Sequence, residues 1–572
     1  MKKIIAILII QYSIFNIQYS ASAQSWQWLN TIGGGGQAAN FDTPEEQVSS
    51  MVTDSAGNVY TCGRFRGQGN PTINGIPIPS FGGYDIFVAK FNCVGNLLWV
   101  KTAGNTDDGD DAISLVLDNF GHLYVTGEVY SSPFSSYCNF MGDTIIDDVN
   151  DMFLCKMDTS GNLLWVKWAA PNSGSFNTGS LPYKINLTSN GNPKILFNLP
   201  TPGVFWSGDT INKRGIYISE FDTAGNLLQV DTVNSNFWGL GYYSDYAIGM
   251  NNDQYISGYF NNDSCEIGGQ ILLKISNSGI SYYDAFVAKF DSSGTLKWIE
   301  HLGQLNHAVA SYSLLNVSNN LIAVSLTCAP GFILGNDTIQ NISNQGVPVI
   351  LLLDTAGNKI WARFSQNQYT IRPQGKMSLD VNGNILFAGQ FAGAAYFGSY
   401  SVVSINGGGI YVATINTSGN WTNAISIEGL GYFDIPLCTA TDIDGNILVA
   451  GGFDGPLIFN GTQITSAGGY TDGFIAKYGL QCSVGIQEQT ANTQGQLLLF
   501  PNPATTNINI QTSGFNNSTI TIINTMGQTV FSQALQSNQN AVSINISNLS
   551  GGVYFIKVND EKNSTTQKFI KQ

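Results

Sequence analysis

The sequence predicts an all-β chain: seven repeated four-stranded units closed into a ring, followed by a small β-sandwich. Three observations predict it. The composition is poor in charge and rich in turn residues. A pair of short motifs alternates along most of the chain. The last copy of the second motif is cut short, and a segment near the N-terminus can complete it.

Of 572 residues, 43% are hydrophobic and only 11% charged, with 64 glycines. A soluble domain of average composition carries about 25% charged residues and about 7% Gly. Abundant Gly and Asn beside 12% aromatics fit short strands joined by tight turns. A helical bundle would need far more Ala, Leu, Glu and Lys, and the apolar content excludes intrinsic disorder. With 24 Lys+Arg against 39 Asp+Glu the net charge is −15, so the chain cannot build the cationic surface that nucleic-acid binding requires.

Lys2 and Lys3 precede the apolar stretch Ile4 to Ile10, and Ala21-Ser22-Ala23 supplies a small-residue cleavage site before Gln24. Residues 1–23 therefore read as a secretory signal peptide, cut between Ala23 and Gln24. No later segment reaches the roughly 18 consecutive apolar residues of a membrane helix, so the expected product is exported and does not span a bilayer. The eight cysteines are scattered without a C-x-x-C pair, which excludes metal-knuckle spacing. Cys62 and Cys155 lie in apolar runs and read as small core residues; no pairing follows from the sequence.

The first motif, Asp-x-x-Gly-Asn followed by an apolar run ending in Gly, appears from Asp54 to Gly63, Asp118 to Gly127, Asp380 to Gly389 and Asp442 to Gly451. Degenerate copies lie near Gly191-Asn192, Asn252-Asp253 and Asn319-Asn320. The second, Asp-x-Phe-Val-Ala-Lys-Phe-Asp-x-x-Gly-Asn-Leu-x-Trp, is clear from Asp85 to Trp99, Asp151 to Trp165 and Asp284 to Trp298, and weaker in three further places. A seventh copy begins at Asp472-Gly-Phe474-Ile-Ala-Lys477-Tyr478 and stops. The apolar runs have strand length, and Asp-x-x-Gly-Asn is turn chemistry, because Asp caps its own turn while Gly and Asn tolerate positive φ. One unit is thus two hairpins in a four-stranded antiparallel meander. A lone sheet of this kind leaves apolar faces wet, so units must pack face to face. Seven of them, at residues 24–482, close into a seven-bladed β-propeller. Trp26-Gln-Trp28-Leu29 substitutes for the missing Gly-Asn-Leu-x-Trp strand and so removes the exposed edge of the last blade. The repeat resembles the β-propeller repeats common in secreted bacterial proteins, on Asp85-Ile-Phe87-Val-Ala-Lys90 and its copies.

Residues 483–496 are polar and read as a linker. Residues 497–572 alternate strands with turns, the pattern of a small Ig-like β-sandwich. The order Pro501-Asn502-Pro503, Met526-Gly527-Gln528, Leu549-x-x-Gly552-x-Tyr554 and a last strand Lys568-Phe-Ile-Lys571 is similar to the C-terminal sorting domain of type IX secretion cargo. That resemblance implies the type IX secretion machinery of a Bacteroidetes-type cell as partner. It also implies a product that is released or attached to the outer-membrane surface.

No catalytic pattern stands out. The three histidines are His122, in a turn, and His301 and His307, six apart. No zinc-protease, nucleophile-elbow or P-loop pattern occurs, and Gly33 to Gly36 lacks the strand-to-helix setting of a phosphate loop. The clusters Asp107-Asp108-Gly109-Asp110-Asp111 and Asp147-Asp148-Val149-Asn150-Asp151 offer hard oxygen ligands for Ca²⁺ without the twelve-residue loop spacing; solvated loops are the simpler reading, and no resident cofactor is implied. Asp-Thr-Ile and Asp-Thr-Ala triplets at Asp143, Asp209, Asp222, Asp337 and Asp354 resemble the O-glycosylation sites of this bacterial group, though turn chemistry explains them equally.

Both Asp-x-x-Gly-Asn turns of a blade fall on one face. The opposite face holds the connections that vary, and variable loops on a rigid scaffold are where binding usually resides. The most aromatic connection, Phe237 to Tyr246, nominates Trp238, Tyr242, Tyr243 and Tyr246 as contacts for a glycan or a surface protein; packing between blades is the competing reading. The expected function is a secreted or surface-attached binding or adhesion protein without enzymatic activity. The alternative is an extracellular polysaccharide hydrolase or lyase with carboxylates on the variable face, which a converging acid pair with one raised pKa would favour.

Overall fold

The computed structural model describes residues 24–34, 46–67, 69–106, 109–129, 138–145, 151–171, 181–199, 204–206, 209–234, 245–276, 283–303, 309–328, 333–334, 337–338, 346–367, 374–404, 408–431, 434–466, 471–482, 496–500, 504–513, 518–524, 528–535, 541–559 and 564–571. Residues 1–23, and with them the expected signal peptide and Ala23, lie outside the described residues, as does all of the expected linker but Gln496; Gln24 is exposed. The chain divides into two compact units between Cys482 and Ser483.

Among the described residues, the first unit is built on seven four-stranded antiparallel meanders, four of them extended to six strands by an added hairpin, beside smaller two- and three-stranded sheets. Blade 1 is Gln47–Thr53, Val59–Arg66, Tyr84–Phe91 and Leu97–Gly104; blade 2 is Asp111–Leu117, His122–Val129, Asp151–Asp158 and Leu163–Pro171. Blade 3 is Pro182–Leu187, Pro193–Leu199, Gly215–Phe221 and Leu227–Asn234; blade 4 is Asp245–Ile248, Gln254–Phe260, Asp284–Phe290 and Leu296–Leu302. Blade 5 is Val309–Ser318, Leu321–Cys328, Val347–Asp354 and Lys359–Phe364, and blade 6 is Ser378–Leu379, Ile385–Phe391, Gly408–Ile415 and Trp421–Gly429. Blade 7 takes Ile435–Thr441, Ile447–Phe453 and Asp472–Gly479 from its own segment, and its fourth strand is Ser25–Gly33. The register sets Trp26 opposite Tyr478 and Thr31 opposite Phe474. The N-terminal strand therefore completes the last sheet, as the truncated motif predicts.

A circuit of side-chain hydrogen bonds links the first strands of the seven blades. Ser50 Oγ accepts from Leu115 N, and Ser114 Oγ from Ile185 N. Asn186 Nδ2 donates to Tyr246 O, Leu314 N to Asp245 Oδ2, and Met377 N to Ser313 Oγ. Ser378 and Thr439 hydroxyls meet at 2.8 Å, and Thr53 Oγ1 donates to Thr441 O at 2.7 Å, which returns the circuit to blade 1. Between each pair of neighbouring blades lies an apolar core. The third strand of a blade feeds two of them: Ile86 and Val88 face blade 2, while Phe87, Ala89 and Phe91 face blade 7. A strand buried on both faces reads as a continuous apolar run, which is why Phe-Val-Ala recurs. Cys62 and Cys155 are fully buried in this packing.

The connection between second and third strands, expected on a variable face, instead folds in several blades into a two-stranded hairpin. Cys138–Phe140 with Asp143–Ile145 is one such hairpin, and it pairs with the outer strand of the preceding blade, Asn139 opposite Gly104. Thr72–Ile73, Val204–Trp206 and Leu457–Phe459 do the same. Its signal is an apolar residue, two turn residues with Gly, then a second arm, as in Ile73-Asn-Gly-Ile76, Phe140-Met-Gly-Asp143 and Phe459-Asn-Gly-Thr462. Asn74 and Gly75 both have positive φ (54° and 77°), the requirement of a tight two-residue hairpin turn. Asp143, Asp209 and Asp337 open second arms of such hairpins.

The second unit holds two sheets. Gln496–Phe500, Asn507–Ser513 and Ala541–Asn545 form one; Thr529–Ala534, Thr519–Asn524, Gly552–Asn559 and Ser564–Lys571 form the other. Ile508, Ile510, Ile520, Ile522, Ile544, Ile556 and Phe569 share one core. Tyr554 stacks on Phe569 at 5.6 Å, and its hydroxyl donates to Ser550 O, so the Leu-x-x-Gly-x-Tyr motif is the packing element that closes this core.

Candidate functional site

Two faces of the ring carry different chemistry. At the first, the Asp-x-x-Gly-Asn turns are closed by their own side chains: Asp158 Oδ1 accepts from Ser160 N and Asn162 N, and Oδ2 from the Asn162 amide. The same turns receive the neighbouring blade. Lys90 Nζ and Trp99 Nε1 both donate to Thr159 O, Lys156 and Trp165 to Thr223 O, and Lys289 and Trp298 to Thr355 O. The turn glycine is fixed twice, by a φ of 86° at Gly161 and by the Trp99 ring, which a Cβ there would meet at 3.0 Å. The Lys and Trp of the repeat motif are thus a blade-to-blade latch. Asp222 and Asp354 belong to these turns and are held below the usual carboxylate range by hydrogen bonds from their turns.

The opposite face lies where first and third strands begin and second and fourth strands end. Between blades 1 and 2 it collects ionisable groups. Asp111 and Glu128 stand at paired positions of neighbouring strands. Arg64 Nη1 and Gln47 Nε2 each approach Asp111 Oδ2 at 3.4 Å, while Asp111 Oδ1 has no hydrogen-bond partner. Arg64 and Arg66 both lie over the Tyr84 ring, at 5.2 and 5.5 Å. Burial, then the Asp111 charge, pushes Glu128 up to about 8; burial, against the pull of Arg64 and Gln47, pushes Asp111 up to about 6. Of the two, Glu128 is the more strongly raised, and Asp111 is the one held by the arginine. Across the ring, buried Asp245 accepts from Ser313 Oγ and Leu314 N and meets Lys376 at 3.5 Å and Lys184 at 3.9 Å. Those cations and hydrogen bonds outweigh burial and hold its carboxyl below the ordinary value. This second cluster ties blades 3 to 6 together.

Trp238, Tyr242 and Tyr243 lie outside the described residues. Tyr246 does not serve as a ligand platform. Its ring is 1% exposed in the core between blades 3 and 4, and its hydroxyl donates to Gln254 Oε1 at 3.1 Å. Alternation explains this: Tyr246 is already inside the first strand of blade 4 and points to a neighbouring sheet. His122 is a turn residue, with Nδ1 at 3.0 Å from Asp118 Oδ2, and His301 Nε2 pairs with the buried Asp284 at 2.9 Å. His307, Asp107, Asp108, Asp147, Asp148 and Asn150 lie outside the described residues. Among the described residues no cluster of three His, Cys, Asp or Glu is placed to hold a metal ion, and no helix is long and apolar enough to cross a membrane. A disulfide joins Cys93 to Cys482, with Cα atoms 6.0 Å apart; two cysteines this far apart in the chain carry no local sign of their pairing.

Residues 498–572 match the family described as secretion system C-terminal sorting domain. The second unit therefore carries the export signal expected from its motifs, and the protein is secreted to the cell surface through that machinery. A search of curated proteins gives no match. Among solved structures the chain is similar to a streptogramin B lyase (11% identity, TM-score 0.35, covering 78% of this chain and 97% of that one). It is also similar to a protein of unknown function from Dyadobacter fermentans (9%, 0.35, 78% and 98%) and to a mutant of the NanB sialidase from Streptococcus pneumoniae (9%, 0.32, 77% and 70%). All three fall below a TM-score of 0.5, and the architecture rests on the sheets described above.

Proposed function

We propose that this exported chain is a non-enzymatic binding or adhesion protein, which presents a glycan or surface-protein site on the propeller face opposite the Asp-x-x-Gly-Asn turns. The observation that carries the reading is the latch. The motif's Lys and Trp are spent on turn carbonyls of the next blade, and its turn Asp residues on their own backbone. What differs from blade to blade is then left to the other face, where blade-to-blade connections run between rigid sheets. The sorting unit delivers the propeller to the outside of the cell, either released or held at the outer-membrane surface. A glycan array run beside a polysaccharide-degradation assay tests this: retained ligand and no release of reducing ends are expected.

The second reading, a polysaccharide hydrolase or lyase, is favoured by one observation, the Asp111–Glu128 pair. A carboxyl raised by burial beside a second one that carries an arginine is the arrangement that general acid–base chemistry uses. Degradation that is abolished in Glu128→Gln and in Asp111→Asn would select it over the first.

A further inference from the structure

We propose that the rim groove between blades 5 and 6 binds an acidic oligosaccharide, a short glycan bearing uronic-acid carboxylates. The groove has a volume of about 450 Å³, within the range of small-ligand sites. It lies on the outer circumference, beside the turn face, and so is separate from the face proposed above.

Its wall is assembled from three segments. Arg363 comes from the outer strand of blade 5 and Gln366 from the short strand after it; Tyr396 comes from the hairpin of blade 6, and Asn420 and Trp421 from that blade's last turn and outer strand. Gln366 and Tyr396 are cross-strand partners, which sets an amide beside a phenol ring that is 42% exposed. The Trp421 ring is braced by Phe397 at 5.2 Å and Phe387 at 5.8 Å.

The latch of this boundary is made, by Trp361 onto Thr417 O, but among the described residues blade 6's own motif Trp, Trp421, is left without one. In blades 1, 2, 4 and 5 the motif Trp donates its indole N–H to the next blade's turn. Among the described residues Trp421 makes no such bond, because the blade after it has the N-terminal strand where that turn would be. In the turns at Asp158, Asp222 and Asp354 the Asn amide is drawn onto the Asp carboxylate. Here Asn416 replaces that Asp, and the exposed Asn420 side chain is not drawn back. Arg363 spends Nε on Gly419 O at 2.9 Å and Nη1 on Ala362 O at 2.8 Å, which locks the guanidinium while Nη2 keeps its donors. Among the described lining residues it is the one charged side chain, on a chain of net charge −15.

A rigid ring face, two amides and a single oriented guanidinium are the groups that recognise a sugar ring with a carboxylate. The ring stacks on the apolar face of the sugar, the amides take its hydroxyls, and the guanidinium takes the acid. A neutral glycan would leave the guanidinium unpaired in the groove.

Calorimetric titration of the whole protein with trigalacturonate and with cellotriose tests the proposal. Binding of trigalacturonate but not of cellotriose is expected, weakened about tenfold by Arg363→Gln and by Tyr396→Ala. Tyr396 is exposed, so its variant keeps the test decisive if Arg363→Gln loses stability. No heat with trigalacturonate, equal binding of cellotriose, or unchanged affinity in both variants would overturn it. Ligands of the opposite face are unaffected by these variants, so the two sites fail or stand separately.

Discussion

Trp28 and Lys477 donate to the same oxygen. Trp28 Nε1 and Lys477 Nζ each lie 3.1 Å from Cys93 O, one reaching from the N-terminal strand and the other from the end of the last blade. This is the contact Trp99 and Lys90 make on Thr159 O, so the seam of the ring is an ordinary blade boundary assembled from two ends of the chain. Cys93 adds its disulfide to Cys482 at the same turn.

Removing either donor should open the seam. Trp28→Ala is expected to cost about 2–4 kcal/mol of stability, from lost packing and one hydrogen bond. Lys477→Met should cost about 3–5 kcal/mol, because Lys477 Nζ lies 2.6 Å from Asp442 with both side chains 1% exposed. Denaturant unfolding of the propeller checks both, and the same lysine change at the half-buried Lys90 should cost less.

The disulfide should matter without being the only clasp. Cys93→Ser with Cys482→Ser is expected to lower stability by about 2–4 kcal/mol and to leave a folded ring, since strand pairing and the shared carbonyl persist. Thermal unfolding with and without reductant should give matching differences.

Much of this was legible because turns and strand periods are local signals. Asp54-x-x-Gly57-Asn58 names its own hairpin, and the half-motif at Asp472 announces that a strand must come from elsewhere. Other features depend on what stands across a boundary. Nothing along the chain says what the motif lysine Lys90 holds until Thr159 O is placed beside it. Tyr246 reads as a loop aromatic because it continues the aromatic run from Phe237, and the strand it opens into, Asp245–Ile248, is only four residues long. The Asp111–Glu128 pair is invisible along the chain, since the two meet only through register. The second-to-third hairpins were readable from Phe140-Met-Gly-Asp143 and its relatives, but their partner strand belongs to the preceding blade.

Tyr246 should behave as a core residue. Tyr246→Phe is expected to cost about 1 kcal/mol, the hydrogen bond to Gln254, and Tyr246→Ala about 3–5 kcal/mol. Neither should alter ligand affinity in molecules that remain folded.

Stability should fall as pH rises through the range where Glu128 titrates. Its carboxyl is held up to about 8 in the folded chain against about 4.3 in an unfolded one. The folded state therefore binds more protons between those values, and the slope of stability against pH is negative there. Glu128→Gln removes the titration. Its melting temperature should gain on the wild type at pH 8 to 9 and match it only at about pH 4 and below. Equal differences at both ends would mean that Glu128 is ionised in the folded protein.

The central structural claim is that residues 25–33 are an integral strand of the last blade. Its most direct test is complementation: a chain starting at Gly34 is prepared and a synthetic peptide of residues 24–34 is added. The expected result is a destabilised propeller that binds the peptide, buries Trp28 with a blue shift in its fluorescence, and recovers its melting temperature. A truncated chain as stable as the full one, and indifferent to the peptide, would contradict it.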